Sequence, residues 1–106
     1  MAHQSLGDLQ QIVMLAVRRL GKGAYGNAIR REMADVAGRN VAVSTVYVTL
    51  VRLEDDGLVA SNQVDPEPGA GGRGRRYFTV TPAGWEALRE SRAMHEQMWD
   101  GLVEST

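Results

Sequence analysis

The chain has 106 residues, 43% of them apolar and 24% charged, with a net charge of −1 and no cysteine. That length fits one compact domain with a modest core, and a further apolar face would be better buried against a second copy. The missing cysteines exclude a disulfide framework and any thiolate metal site.

Met1 to Ser5 has no basic flank followed by an apolar run, and the longest apolar stretch, Ile12 to Val17, is too short to cross a bilayer. The expectation is a cytoplasmic protein with no membrane partner. Leu9, Ile12, Val13, Ala16, Val17 and Leu20 recur at helical spacing, predicting a first helix from Gly7 or Asp8 to Leu20 that Gly21-Lys22-Gly23 ends. A second helix is predicted over Gly26 to Ala37, with Ala28, Ile29, Met33 and Val36 or Ala37 inward and Gly38 as its stop. A third runs from Val43 to Asp56, with Val46, Tyr47, Leu50 and Leu53 inward and Gly57 closing it.

Leu58 to Val64 and Arg75 to Val80 then read as two strands, the second carrying Tyr77 and Phe78. The Pro/Gly-rich stretch between them is too long for a tight turn and reads as a hairpin tip. Thr81 caps a last helix that Pro82 opens and that is expected to reach about Val103. Three helices, a hairpin and a helix predict a mainly α fold: a winged helix-turn-helix with a two-stranded wing, plus a C-terminal helix. Residues 1–80 would form the DNA-binding domain and 81–106 a dimerisation helix.

The neutral total hides a division of charge. From Arg18 to Arg52 the net charge is +5, and from Thr81 to the C-terminus it is −3. A local basic surface is what a nucleic acid needs, whatever the sum. The third helix is the candidate recognition element. Ser44 and Thr45 at its start are short and polar, and Thr49 and Arg52 follow on what its spacing makes an outer face. Arg73, Arg75 and Arg76 sit among glycines in the wing and suit a minor groove or phosphates. Lys22 and Asn27 flank the start of the second helix as candidate phosphate contacts. Leu88, Ser91, His95, Met98 and Leu102 follow a three-four spacing in the last helix, with Trp85, Met94 and Trp99 beside them, and predict a dimer seam. No nucleophile-base pair, phosphate loop or metal-ligand spacing is present, so no enzyme, cofactor or metal is expected.

Leu6-Gly7-Asp8-Leu9, Tyr25-Gly26-Asn27-Ala28-Ile29, Thr45-Val46-Tyr47 with Leu50, Arg52-Leu53-Glu54-Asp55-Asp56-Gly57-Leu58-Val59, Gly72-Arg73-Gly74-Arg75-Arg76-Tyr77-Phe78 and Val80-Thr81-Pro82-Ala83-Gly84 stand in the chain in that order. In this order and spacing the chain resembles the PadR family of bacterial regulators, in particular its smaller subgroup with a single dimerisation helix after the wing. The resemblance implies a homodimeric repressor on a near-palindromic operator in double-stranded DNA. It implies a Tyr47 that touches the DNA backbone, and a seam in which the partner's first helix, hence Leu9, packs on the last. It also implies a site for a planar aromatic effector between paired last helices, at His95 and Trp99. Where the family usually has Ser at the start of the third helix this chain has Ala42, which cannot cap and costs about 1 kcal/mol; Ser44 and Asn40 are the residues placed to compensate. Ser44 itself stands where the family often has Gly, so no operator sequence carries over. The competing reading is a winged helix that binds another protein and not DNA, which the neutral total and acidic last helix leave open.

Overall fold

The computed structural model describes residues 6–66, 69 and 74–102. The elements are α1 (Asp8–Leu20), a single 3-10 turn (Gly21–Gly23), α2 (Gly26–Ala37), α3 (Val43–Asp55), β1 (Val59–Val64), β2 (Arg75–Val80) and α4 (Pro82–Trp99). The two strands pair antiparallel, Val59 opposite Val80 through Val64 opposite Arg75. This is the expected mainly helical, winged arrangement.

Local chemistry sets the joints. Gly21, Gly38 and Gly57 all have positive φ, each directly after a helix or its last turn. At Gly38 the backbone closes α2 with Gly38 N–H on the Ala34 carbonyl and Arg39 N–H on the Met33 carbonyl. Thr81 caps α4 by accepting from the Gly84 N–H at 3.0 Å, and its own hydroxyl donates to the Gly57 carbonyl at 2.7 Å. A β-carbon at Gly84 would run into the Leu58 carbonyl, so the first turn of α4 lies directly against the chain between α3 and β1.

Val13, Met14, Val17, Ile29, Met33, Val46, Leu50, Leu53, Val59 and Phe78 form the buried centre, where α1, α2 and α3 meet the ribbon. Burial of each large side chain contributes about 1.5–3 kcal/mol. Phe78 is the wing's plug in this core. Its backbone N–H donates to the Ala24 carbonyl at 2.8 Å, and Tyr25 bridges Tyr77, so the segment before α2 borders the free edge of β2.

Several expectations need correction. The inward line of α3 is Val46, Thr49, Leu50 and Leu53, with Thr49 in place of Tyr47. Val36 and Ala37 are exposed, because α2 has left the core by its last turn; Met14 and Ala24 are buried although neither was in the predicted stripes. Helix α4 stops at Trp99, where Asp100 leaves helical geometry and Gly101 turns left-handed; Val103 lies outside the described residues. Among the described residues no side chain caps α3, so neither Ser44 nor Asn40 replaces the missing cap at Ala42.

Salt bridges hold the periphery. Arg19 meets Glu32 at 2.8 Å between α1 and α2, and Arg39 meets Asp8 at 2.5 Å. Such exposed pairs contribute at most about 1 kcal/mol each. The Gly84 approach is the tighter constraint. Gly84→Ala should lower stability by about 2 kcal/mol or more, read as a fall in the midpoint of thermal unfolding, because backbone must move to admit the methyl group.

Candidate nucleic-acid interface

The surface is built around one close approach. The Tyr47 ring lies over the start of α2, where a β-carbon on Gly26 would fall 2.5 Å from it. The same ring stands edge-on to Phe78, with centroids 6.2 Å apart. Tyr47 thus touches α2 and the wing together while remaining partly exposed. It serves packing and surface at once, so the two roles considered for it do not compete.

Beside it, Tyr25 gathers the wing. Its ring tilts against Tyr77 at 5.8 Å, the Arg75 guanidinium sits 4.3 Å above its centroid, and its hydroxyl accepts from Arg31 Nη2 at 3.1 Å. Cation–π and hydrogen-bond contacts of this kind hold two arginines at fixed positions on one exposed surface. The Arg31 hydrogen bond first, and the nearby Arg75 charge second, lower the Tyr25 phenol below the ordinary tyrosine value. Tyr25 and Arg31 were not among the candidate contact residues: an aromatic next to glycine gives no sequence signal that it will receive two guanidinium groups.

The wing arginines are not equivalent. Successive strand residues point to opposite faces. Arg75 therefore goes with Tyr77 toward Tyr25, whereas Arg76 shares the face of Phe78. Arg76 Nη1 donates to the Ser61 hydroxyl at 2.8 Å, and that hydroxyl donates to Glu54 Oε2 at 2.7 Å. Arg76 is thereby tied to the end of α3. Arg73 lies outside the described residues.

At the start of α3, Ser44 and Thr45 are exposed. The uncapped first turn leaves backbone amides free to meet an anion. Lys22, Asn27 and Arg52 are also exposed, and among the described residues Lys22 and Arg52 make no ion pair. Thr49 is a correction: it is buried, and its hydroxyl donates to the Thr45 carbonyl at 2.9 Å, so it points away from any ligand of the outer face. The contacts of Tyr47 on Gly26, and of Tyr25 on Tyr77 and Arg75, bring the starts of α2 and α3 and one face of the wing together.

A second surface has different chemistry. A groove of about 930 Å³ lies between the start of α1 and α4, lined by Leu6, Leu58 and Met94 and by the carboxylates Asp8, Asp56, Glu86 and Glu90. His95 is at its rim, with Nδ1 2.8 Å from the Ser91 carbonyl. Leu88 is buried within its own chain and Leu9 packs against the same core, so neither is a free surface residue. Met98, Trp99 and Leu102 are 71%, 62% and 66% exposed.

The lowered pKa of Tyr25 is measurable. Phenolate absorbance should show a step below the ordinary tyrosine range, and Tyr25→Phe should lack it. Because the folded value is the lower one, the contribution of this contact to stability is present above the unfolded value near 10 and lost as pH falls through the folded one.

Residues 14–90 match the model of the "Transcriptional regulator PadR-like family". The chain is 46% identical over 63 residues to "Transcriptional regulator Rv3488" of Mycobacterium tuberculosis, a match spanning 58% of this chain and about half, 53%, of that relative's length. Among solved structures, a PadR family transcriptional regulator from Eggerthella lenta is 33% identical with a TM-score of 0.70, covering 89% of this chain and 81% of its own. A PadR-like transcription factor from Bacteroides fragilis gives 0.73 at 27% identity, covering 85% and 82%. With the family match spanning most of its length and the winged fold shared with these structures, the chain belongs to the PadR-like family of transcriptional regulators.

Proposed function

We propose that this chain is a cytoplasmic regulator that binds double-stranded DNA as a homodimer and represses transcription from a near-palindromic operator. The observation that carries the reading is the meeting, on one surface, of the uncapped start of α3, the start of α2 and the Arg75 side of the wing. Ser44 and Thr45 are assigned to the major groove, with Lys22, Asn27, Arg52 and Tyr47 on flanking backbone. Arg73 and Arg75 of the wing reach phosphates or a minor groove. Arg76 joins them by exchanging its Ser61 contact for a phosphate.

Residues 1–80 act as the reading head and 81–106 as the dimer arm. At about 100° per residue, the face of α4 that Leu88 buries continues through His95 and Trp99, beyond the reach of the chain's own core, and the exposed Leu102 follows just past the helix end. A second copy covers that face, as an exposed apolar stripe on a protruding helix requires. A planar aromatic effector is assigned to the same seam, between the paired Trp99 rings near His95.

Retention of duplex DNA by the purified protein tests the reading. Raising salt from about 50 mM to about 200 mM should weaken binding about a thousandfold, because phosphate contacts release counterions. Replacing Arg73, Arg75 and Arg76 with alanine should abolish retention and leave the oligomer unchanged. If the unaltered protein retains no DNA, the protein-binding alternative holds instead. Met98→Glu with Trp99→Glu should convert a sedimenting dimer to a monomer without loss of helical circular dichroism, since both residues are exposed in the single chain; a monomer before substitution would overturn the seam.

A further inference from the structure

The outward line of α3 carries two side chains that neither packing nor charge accounts for. Val48 and Val51 are 55% and 54% exposed. At about 100° per residue they follow Ser44 along the side of the helix opposite the buried line of Val46, Thr49, Leu50 and Leu53. Branched aliphatic groups left in water add no burial energy, and valine is a poorer helix former than the alanine or lysine that could stand there. The middle of the surface that α3 presents is therefore apolar, with hydroxyl groups ahead of it at Ser44 and Thr45 and a guanidinium beside it at Arg52.

An apolar centre on a recognition helix has one complementary feature in duplex DNA. Among base edges in the major groove, only thymine carries a methyl group. We propose that Val48 and Val51 read thymine C5-methyl groups in each half-site, so that these methyls discriminate the operator. The proposal rests on the DNA-binding reading above and continues its surface at Ser44 and Thr45. The geometry suits it. Three residues advance about 4.5 Å along a helix axis, comparable with the roughly 3.4 Å between base pairs, so two neighbouring steps can each meet one valine. Valine offers no donor or acceptor. A cytosine amino group facing it would lose water without gaining a partner, which selects against that base as the methyl contact selects for thymine.

The test uses the full chain and a duplex library with a randomised centre. From the best retained duplex, each thymine is replaced in turn by deoxyuridine, which removes only the methyl group. We expect one or two positions per half-site at which affinity falls about threefold to fivefold, the size of one lost methyl contact. Val48→Ser and Val51→Ser should each erase the deoxyuridine effect at one of those positions. The deoxyuridine series on the unaltered protein does not depend on either variant folding. Equal affinity across that series overturns the proposal while leaving DNA binding in place, as does an effect that persists in the double serine variant. If no duplex is retained, this inference and the DNA-binding reading fall together.

Discussion

The packing of one aromatic ring on one glycine holds the candidate surface together. Tyr47 reaches across to the start of α2 because Gly26 has no side chain, and from there its edge meets Phe78. Three elements distant in sequence are fixed by that ring: the helix that presents Ser44 and Thr45, the helix behind it, and the wing. A β-carbon on Gly26 would push α3 outward and loosen Phe78 from the core it plugs. The Tyr25 cluster depends on the same geometry, because Tyr25 immediately precedes Gly26 and aligns with β2 through Tyr77.

The helices and strands were legible in the sequence because their signals are local. Periodicity in α1, the glycine after α2 and the Thr-Pro opening of α4 each act within a few residues, and α2 and β2 have the predicted limits. What periodicity could not give was which of two residues flanking the stripe faces in. Tyr47 and Thr49 both border the buried stripe of α3, and tertiary context decides between them: Gly26 leaves room for a ring at the surface, and the Thr49 hydroxyl finds the Thr45 carbonyl and can be buried. The last turn of α2 failed for the complementary reason. Val36 is apolar and correctly spaced, but it remains exposed.

The candidate site was legible only as composition. The basic stretch from Arg18 to Arg52 does not survive as one surface. Arg19 and Arg39 bind carboxylates, and Arg18 lies 4.2 Å from the Trp85 ring on α4. Arg31, which had no evident role in the sequence, joins Arg75 through Tyr25. Such partnerships join residues far apart in the chain, and charge counting along a sequence carries no information about them. The separation of Arg75 from Arg76 follows from strand alternation alone and was available once β2 had been placed.

The joint at Thr81 and Gly84 has a consequence for scale. Thr81 is bonded to Gly57, and Gly84 lies flush against Leu58, so α4 leaves the winged body in a direction that it cannot readily change. In the proposed dimer this rigid elbow works as a ruler. The distance between two recognition helices is set by the angle at which each arm departs and by where the two arms cross. Spacing of the half-sites is then a property of a glycine and a threonine that never approach DNA. A change of a few degrees at the elbow, carried along an arm of 18 residues or about 27 Å, moves the reading heads by the better part of a base step.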